Sequence, residues 1–283
     1  VFWPLGGALL IFGVGRWDDF YEIRARYKLV VLVAAVLLVL CGGFWFGSVG
    51  IPGLQAHIGL GLIGVIVTFF WLLGITNAIN LIDGMDGLAG GAGFIATLAI
   101  GLVSVATGRV LPGILALVLA GALLGFLLFN RPKARIFMGD GGAYFLGFML
   151  AFLPLVDVDK AAPTLFGQAW FPDGHMNIVH AVTLLLIPIG DTFAAILRRA
   201  RKGQGIFQPD RHHMHHKMLA MGLSTWQILL VVSAFELALA AAAVFDILIG
   251  SLASTLCLFG SWVLVLGFFI WLDRMQYRNP NGQ

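Results

Sequence analysis

The sequence predicts an all-α, polytopic integral membrane protein. Three observations carry this expectation. Of the 283 residues, 60% are hydrophobic and only 11% are charged. Mean hydropathy is +0.96. Apolar runs of about 15 to 23 residues recur along the whole chain. A soluble domain carries about 25% charged residues to cover its surface, and this chain has too few. No large soluble domain and no 20–50-residue repeat interrupts the pattern, so residues 1–283 read as a single transmembrane domain. Cys41 and Cys257 both fall inside apolar runs, which argues against a disulfide framework and a cysteine zinc site.

The chain opens on "VFWPLGGALLIFGVG", an apolar run of about 15 residues. A spanning helix needs ~20, and the run lacks the basic start of a signal peptide. It reads as the tail of a helix whose beginning is missing, with one or two N-terminal helices expected ahead of it. Further runs follow near 28–46, 57–76, 88–107, 110–129, 142–158, 178–196, 226–247 and 249–271. With the partial first run, this predicts about nine transmembrane helices. Glycines within the runs do not argue against helix in a membrane. When the loops are divided into two alternating sets, one set holds 15 of the 17 lysines and arginines, and the other holds only Arg109 and Lys160. The positive-inside rule puts the basic set in the cytoplasm.

Four polar clusters fall on that basic side, in loops near 16–28, 76–88, 130–142 and 198–224. Clusters on one face can converge on one site. "GRWDDFYEIRARYKL" brings Asp18, Asp19 and Glu22. Paired carboxylates at a membrane boundary are costly to desolvate, and mutual repulsion suits one of them to accept a proton. "NAINLIDGMDGLAGG" brings Asn77, Asn80, Asp83 and Asp86. Asn80, Asp83 and Asp86 form one polar stripe if the third helix continues through them, although two Asp-Gly pairs also signal a turn. All-oxygen ligands of this kind suit Mg²⁺ rather than zinc. "FNRPKARIFMGDGGAYFLGF" brings Asn130 and Asp140, with Arg131, Lys133 and Arg135 alongside. Asp140 precedes two glycines and a helix, a place for a cap and for an anion held by open backbone N–H groups.

The fourth cluster is "FQPDRHHMHHKML", with four of the seven histidines within five residues. His213, His215 and His216 have spacing that can ligate zinc. No cysteine is near, however, and Arg211 and Lys217 oppose a cation and favour a phosphate. Zinc and a plain loop remain as competing readings. Asp191, toward the end of the seventh run, is placed to orient this loop. Glu236, inside the eighth run, is a buried membrane carboxylate and so a functional candidate with no identifiable partner. Together the clusters point to cation-assisted phosphoryl transfer at a membrane face.

The motifs "WDDFYEIRARYKL", "NAINLIDGMDGLAGG", "FNRPKARIFMGD" and "FQPDRHHMHHKM" resemble those of the polyprenyl-phosphate N-acetylhexosamine-1-phosphate transferase family, glycosyltransferase family 4, in order and spacing over nearly the whole chain. The Pro-Asp-Arg ahead of the histidines resembles the undecaprenyl-phosphate N-acetylglucosamine-1-phosphate transferase branch rather than the phospho-N-acetylmuramoyl-pentapeptide branch. The resemblance implies transfer of a sugar 1-phosphate, most simply N-acetylglucosamine 1-phosphate, from a UDP-sugar to undecaprenyl phosphate with release of UMP. That would be the first membrane step of a cell-envelope polysaccharide such as lipopolysaccharide O-antigen. It implies Asp18 as base beside the lipid phosphate and Asp19 assisting it. It implies Asp140 as principal Mg²⁺ ligand, with Asp83 and Asp86 also at the metal and Mn²⁺ able to substitute. Asn77, Asn80, Asp83 and Asp86 would line the nucleotide site, Asn130 would support the pyrophosphate, and Arg211, His213, His215 and His216 would contact sugar phosphates.

Implied partners are undecaprenyl phosphate, a UDP-N-acetylhexosamine and the lipid bilayer, with no nucleic acid; a homodimer is compatible. The implied setting is the bacterial inner membrane, with the active site on its cytoplasmic face. Two positions depart from the family pattern. Glu22 stands where Asp is usual, and Ala143 stands where a small hydroxyl residue is common. Direct attack by the lipid phosphate is the favoured route over a covalent aspartyl intermediate. A secondary transporter is the rival from another class, but it predicts midplane charges and an inverted repeat.

Overall fold

In the computed structural model the described residues are 2–51, 56–156, 176–201, 203 and 213–278. They form eleven α-helices and one short hairpin. Helix α1 spans Phe2–Tyr21 and α2 spans Ala25–Cys41, followed by strands β1 (Ser48–Ile51) and β2 (Ala56–Gly59). Next come α3 (Leu62–Ile82), α4 (Leu88–Ala106), α5 (Val110–Asn130) and α6 (Gly139–Phe152), the last continued by a 3-10 turn at Leu153–Leu155. The chain ends with α7 (Ile178–Leu184), α8 (Leu186–Arg201), α9 (Met214–Ala220), α10 (Thr225–Ile249) and α11 (Leu252–Arg278).

The all-α, polytopic class holds, and every predicted apolar run lies on helix for most of its length. Among the described residues five helices (α3, α4, α5, α10 and α11) are long and apolar enough to cross a bilayer, or six spans if α7 and α8 count as one. The expected nine is therefore not reached by length and composition. Helix α1 carries Arg16, Asp18 and Asp19 in its last turns, α2 has 17 residues, and α6 with its 3-10 turn is a shorter apolar helix. The run expected from residue 57 starts as a strand. β1 and β2 pair antiparallel, Ser48 opposite Gly59 and Ile51 opposite Ala56, and the helix begins only after Gly61, whose φ is +51°. At the seventh run the chain bends by 81° between α7 and α8. Pro188 explains the break: as the third residue of a new helix it needs no N–H partner, whereas inside a continuous helix its ring would strike the carbonyl four residues back.

Helix α6 is the centre of the first core. From Gly141 to Phe152 most of its side chains are buried, and it packs against α1, α3 and α4. The approach of α1 is close. A Cβ on Gly15 would lie 2.5 Å from the Cα of Gly141, so only glycine lets these two backbones touch. A second core joins α8, α9, α10 and α11 through residues such as Ile187, Met214, Ile228 and Leu239. Large apolar side chains such as Phe70, Val118, Leu230 and Val263 point outward, as expected when lipid is the solvent. A buried polar knot ties α7, α10 and α11. His180 Nε2 lies 3.0 Å from Asp246 Oδ2, and Asp246 Oδ1 accepts the hydroxyls of Ser254 and Thr255 at 2.8 Å each.

Candidate functional site at the helix ends

The end of α1, the start of α2, the end of α3 and the start of α6 meet at one place. Asp140 sits in the first turn of α6, with Met138 in the cap position. Its Oδ2 accepts from Lys28 Nζ at 2.8 Å and its Oδ1 from Asn80 Nδ2 at 3.1 Å. Its backbone N–H donates to Asp19 Oδ1 at 2.7 Å. Asp19 thus caps α6 from another helix, and Arg16 holds its second oxygen at 3.1 Å. Asp18 forms an ion pair with Lys28 and accepts the backbone N–H of Ile23 at 2.5 Å. One ammonium therefore stands between two carboxylates from different helices. Lys28 was counted in the sequence only as a juxtamembrane cation, and nothing about its spacing separated it from its neighbours. Glu22 follows with φ of +46°, a left-handed conformation in which the shorter Asp is better tolerated.

The polar stripe expected at Asn80, Asp83 and Asp86 does not form as one helix face. Helix α3 ends at Ile82, Asp83 is its C-cap, and Asp86 lies in the following turn. The two Asp-Gly pairs win, because Gly87 takes φ of +79° to start α4. Asn77 turns back on its own helix, donating to Leu73 O at 2.7 Å. Asp86 accepts Ala134 N–H at 3.1 Å. Buried Asn130 accepts Gly87 N–H and donates to Ile136 O, each at 2.9 Å. Asp86 and Asn130 thus tie the α3–α4 loop to the α5–α6 loop. Burial and the charges of Asp140 and Asp86 raise the Asp83 carboxyl to about 7. Desolvation first, and the neighbouring like charges second, disfavour its ionised form.

Among the described residues no group of three or more His, Cys, Asp or Glu is arranged to hold a metal ion. The histidine rings lie side by side, His213 and His215 nearly parallel at 6.2 Å and His215 and His216 at 4.2 Å, with His216 exposed. The Asp83–Asp140 pair fits a different kind of ion. Mg²⁺ keeps most of its waters and takes one or two carboxylates plus substrate phosphates. Two mutually repelling carboxylates at a membrane edge supply that donor set.

The histidine segment adjoins this cluster. Buried Asp191 on α8 accepts Met214 N–H through Oδ1 at 2.8 Å, and its Oδ2 meets His213 Nδ1 at 2.8 Å. It thereby fixes the first turn of α9, as its position in the sequence suggested. Lys217, also buried, pairs with Asp273 near the end of α11. His215 Nε2 faces the α3–α4 turn, where a Cβ on Gly84 would lie 2.6 Å from it. Neither ring nitrogen of buried His215 has a hydrogen-bond partner among the described residues. Burial, with the charge of His216, lowers its pKa to about 4. It therefore stands neutral at pH 7, with one donor and one acceptor unpartnered among the described residues and Nε2 toward the acid-bearing loop. Arg211 and the neighbouring His212 lie outside the described residues. Glu236 is buried on α10, and its Oε1 has no partner among the described residues. It touches none of the clustered acids by any hydrogen bond or ion pair found there.

A helical membrane chain thus gathers three carboxylates, a lysine and Asn80 into one polar cluster at a set of helix ends. Residues 1–157 match the model of glycosyl transferase family 4, and the chain belongs to that family. A probable undecaprenyl-phosphate N-acetylglucosaminyl 1-phosphate transferase of Bacillus subtilis is 36% identical over 226 residues, 80% of this chain and 60% of the relative. A decaprenyl-phosphate N-acetylglucosaminephosphotransferase of Mycobacterium tuberculosis is 33% identical over 239 residues, 79% of this chain and 58% of the relative. An undecaprenyl-phosphate alpha-N-acetylglucosaminyl 1-phosphate transferase of Yersinia pestis is 29% identical over 268 residues, 93% of this chain and 68% of the relative. The chain thus spans about 60% of the length of the first two.

Proposed function

We propose that the protein transfers N-acetylhexosamine 1-phosphate, with N-acetylglucosamine as the first candidate sugar, from a UDP-sugar to undecaprenyl phosphate. A phosphate oxygen of the lipid attacks the sugar-bearing phosphorus, and the bond to the bridging oxygen breaks and releases UMP. The observation that carries the reading is the Asp18–Lys28–Asp140–Asn80 cluster at the ends of four helices, in a chain whose relatives act on polyprenyl phosphates. Lys28 already bridges two carboxylates, so it can turn to a phosphate without crossing apolar surface. Asp83 and Asp140 would hold Mg²⁺, which supplies charge neutralisation on the transferring phosphoryl group. Neutral His215 would donate to a phosphate oxygen, and Asp191 keeps its helix in place.

Direct attack is favoured over an aspartyl intermediate. Asp18 is held by Lys28 and by Ile23 N–H, and it would have to break from both to act as a nucleophile. The positive-inside rule supports the cytoplasmic face of the bacterial inner membrane as the side on which the reaction runs. The test is an assay of membranes from cells expressing the protein, with radiolabelled UDP-N-acetylhexosamines, undecaprenyl phosphate and Mg²⁺. UMP and a lipid-linked sugar pyrophosphate are expected in equal amounts. Absence of lipid-linked product with every UDP-N-acetylhexosamine overturns the proposal.

A further inference from the structure

Between α8 and α11 runs a groove of about 510 Å³ that no side chain of the described residues fills. This lies within the ~300–1,000 Å³ typical of small-ligand sites. Its walls are apolar and face outward: Phe193 and Leu197 from α8 are 59% and 39% exposed, and Leu266 and Ile270 from α11 are 51% and 55% exposed. Ala194 lies on its α8 wall. Arg198, Arg201 and Arg274 line it as well, all near the basic ends of the two helices. Among the described residues of the lining the one carboxylate is Asp273. It is already engaged by Lys217 and stands 3.9 Å from Arg198. The groove therefore pairs an acyl-sized apolar slot with net positive charge at one end. Arginines at helix ends are ordinary in membrane proteins; an unfilled cavity running beneath three of them is not.

We propose that this groove holds an acyl chain of an anionic glycerophospholipid, with the headgroup phosphate on Arg201, Arg274 and Arg198. Charge complementarity selects the occupant, because a zwitterionic headgroup brings no net charge to three arginines. None of the helices that form the Asp18–Asp140 cluster lines the groove, so the site is separate from the one proposed for transfer. It reaches the histidine segment through Asp273. A phosphate that draws Arg198 toward itself leaves Asp273 more fully to Lys217 and firms the docking of α9 on α11.

The test is native mass spectrometry of the protein in detergent with equimolar phosphatidylglycerol and phosphatidylcholine. One phosphatidylglycerol is expected to be retained preferentially. An Arg201→Gln, Arg274→Gln double variant should lose about thirtyfold in retention, from about fivefold per arginine near a lipid phosphate. Ala194→Phe fills the slot at unchanged charge and should also abolish retention. Either variant alone decides the matter should the other not fold. Equal retention of phosphatidylcholine, or phosphatidylglycerol retention indifferent to both changes, overturns the site. Displacement of the bound phosphatidylglycerol by stoichiometric undecaprenyl phosphate reassigns the groove to the acceptor and overturns it too. Amide exchange of residues 213–220 should slow on adding phosphatidylglycerol in the wild type and not in Ala194→Phe. Unchanged exchange in the wild type overturns the link to α9. None of these readouts requires turnover.

Discussion

Asp191→Ala is the sharpest perturbation of the histidine segment. Helix α9 has seven residues, far below the length at which an isolated helix holds itself in water. Its order rests on its anchors. Asp191, 1% exposed, supplies two of them, to Met214 N–H and to His213 Nδ1, both at 2.8 Å. Removing the carboxylate leaves two buried donors unpaired, at roughly 1–3 kcal/mol each. Taking about 3 kcal/mol for the pair, the open state of the segment becomes about 100-fold more populated. Asp191→Asn keeps one acceptor oxygen and should cost about half as much, roughly tenfold. Hydrogen exchange followed by mass spectrometry on peptides covering 213–220 measures this directly, and turnover measured alongside should fall in the same order. Unchanged exchange in Asp191→Ala would refute the reasoning, because α9 would then be held by something other than this carboxylate.

Lys28→Gln removes the ammonium between Asp18 and Asp140 and should lower kcat by about 10²–10³, the scale of losing one preorganised charge at a reacting phosphate; Lys28→Arg should restore only part of it. Gly15→Ala places a methyl group where α6 backbone already stands. It should cost about 1–3 kcal/mol and lower the unfolding temperature in detergent, while Gly13→Ala, with open space around it, should not. Two titratable groups give opposite pH dependences. His215 has its folded pKa lowered to about 4, so its neutral form contributes stability that is complete above ~6.5 and is lost as pH falls toward 4. Asp83 has its folded pKa raised to about 7, so its contribution is complete below ~3.9 and is lost as pH rises toward 7. In metal-free buffer, His215→Gln should therefore flatten the acid side of the stability curve. Asp83→Asn should flatten the neutral side, read as unfolding temperature against pH.

The residues that revealed themselves in the sequence are those that break an apolar pattern. Asp18, Asp19, Asp140 and Asn80 stand out because a lipid-facing chain has no other use for them, and the structure brings all four into one hydrogen-bonded cluster. Asp191 was legible for the same reason. Lys28 was not, since a basic residue after a helix turn is what the membrane boundary asks for anyway, and only its contact across 112 positions with Asp140 shows its place. Asp273, the partner of Lys217, was hidden in the same way at the end of the last run. The end of α3 is ambiguous in the sequence because helical spacing and turn signals overlap at Asp83-Gly84 and Asp86-Gly87, and the left-handed Gly87 decides for the turn. The α7–α8 break has a visible cause in Pro188, but a proline inside an apolar run reads equally as a mild kink, so the size of the bend, 81°, is legible only in the structure.

Turnover of Asp140→Asn across Mg²⁺ concentrations tests the central claim, that transfer takes place at the carboxylates gathered around the start of α6. Asparagine keeps the size of the side chain and an oxygen for Asn80, while removing the charge that faces Lys28 and Asp83. A fall of two orders of magnitude or more in lipid-linked product, with the protein still folded in the membrane, is the predicted result. Wild-type turnover at limiting Mg²⁺ would contradict it and move the chemistry away from this cluster.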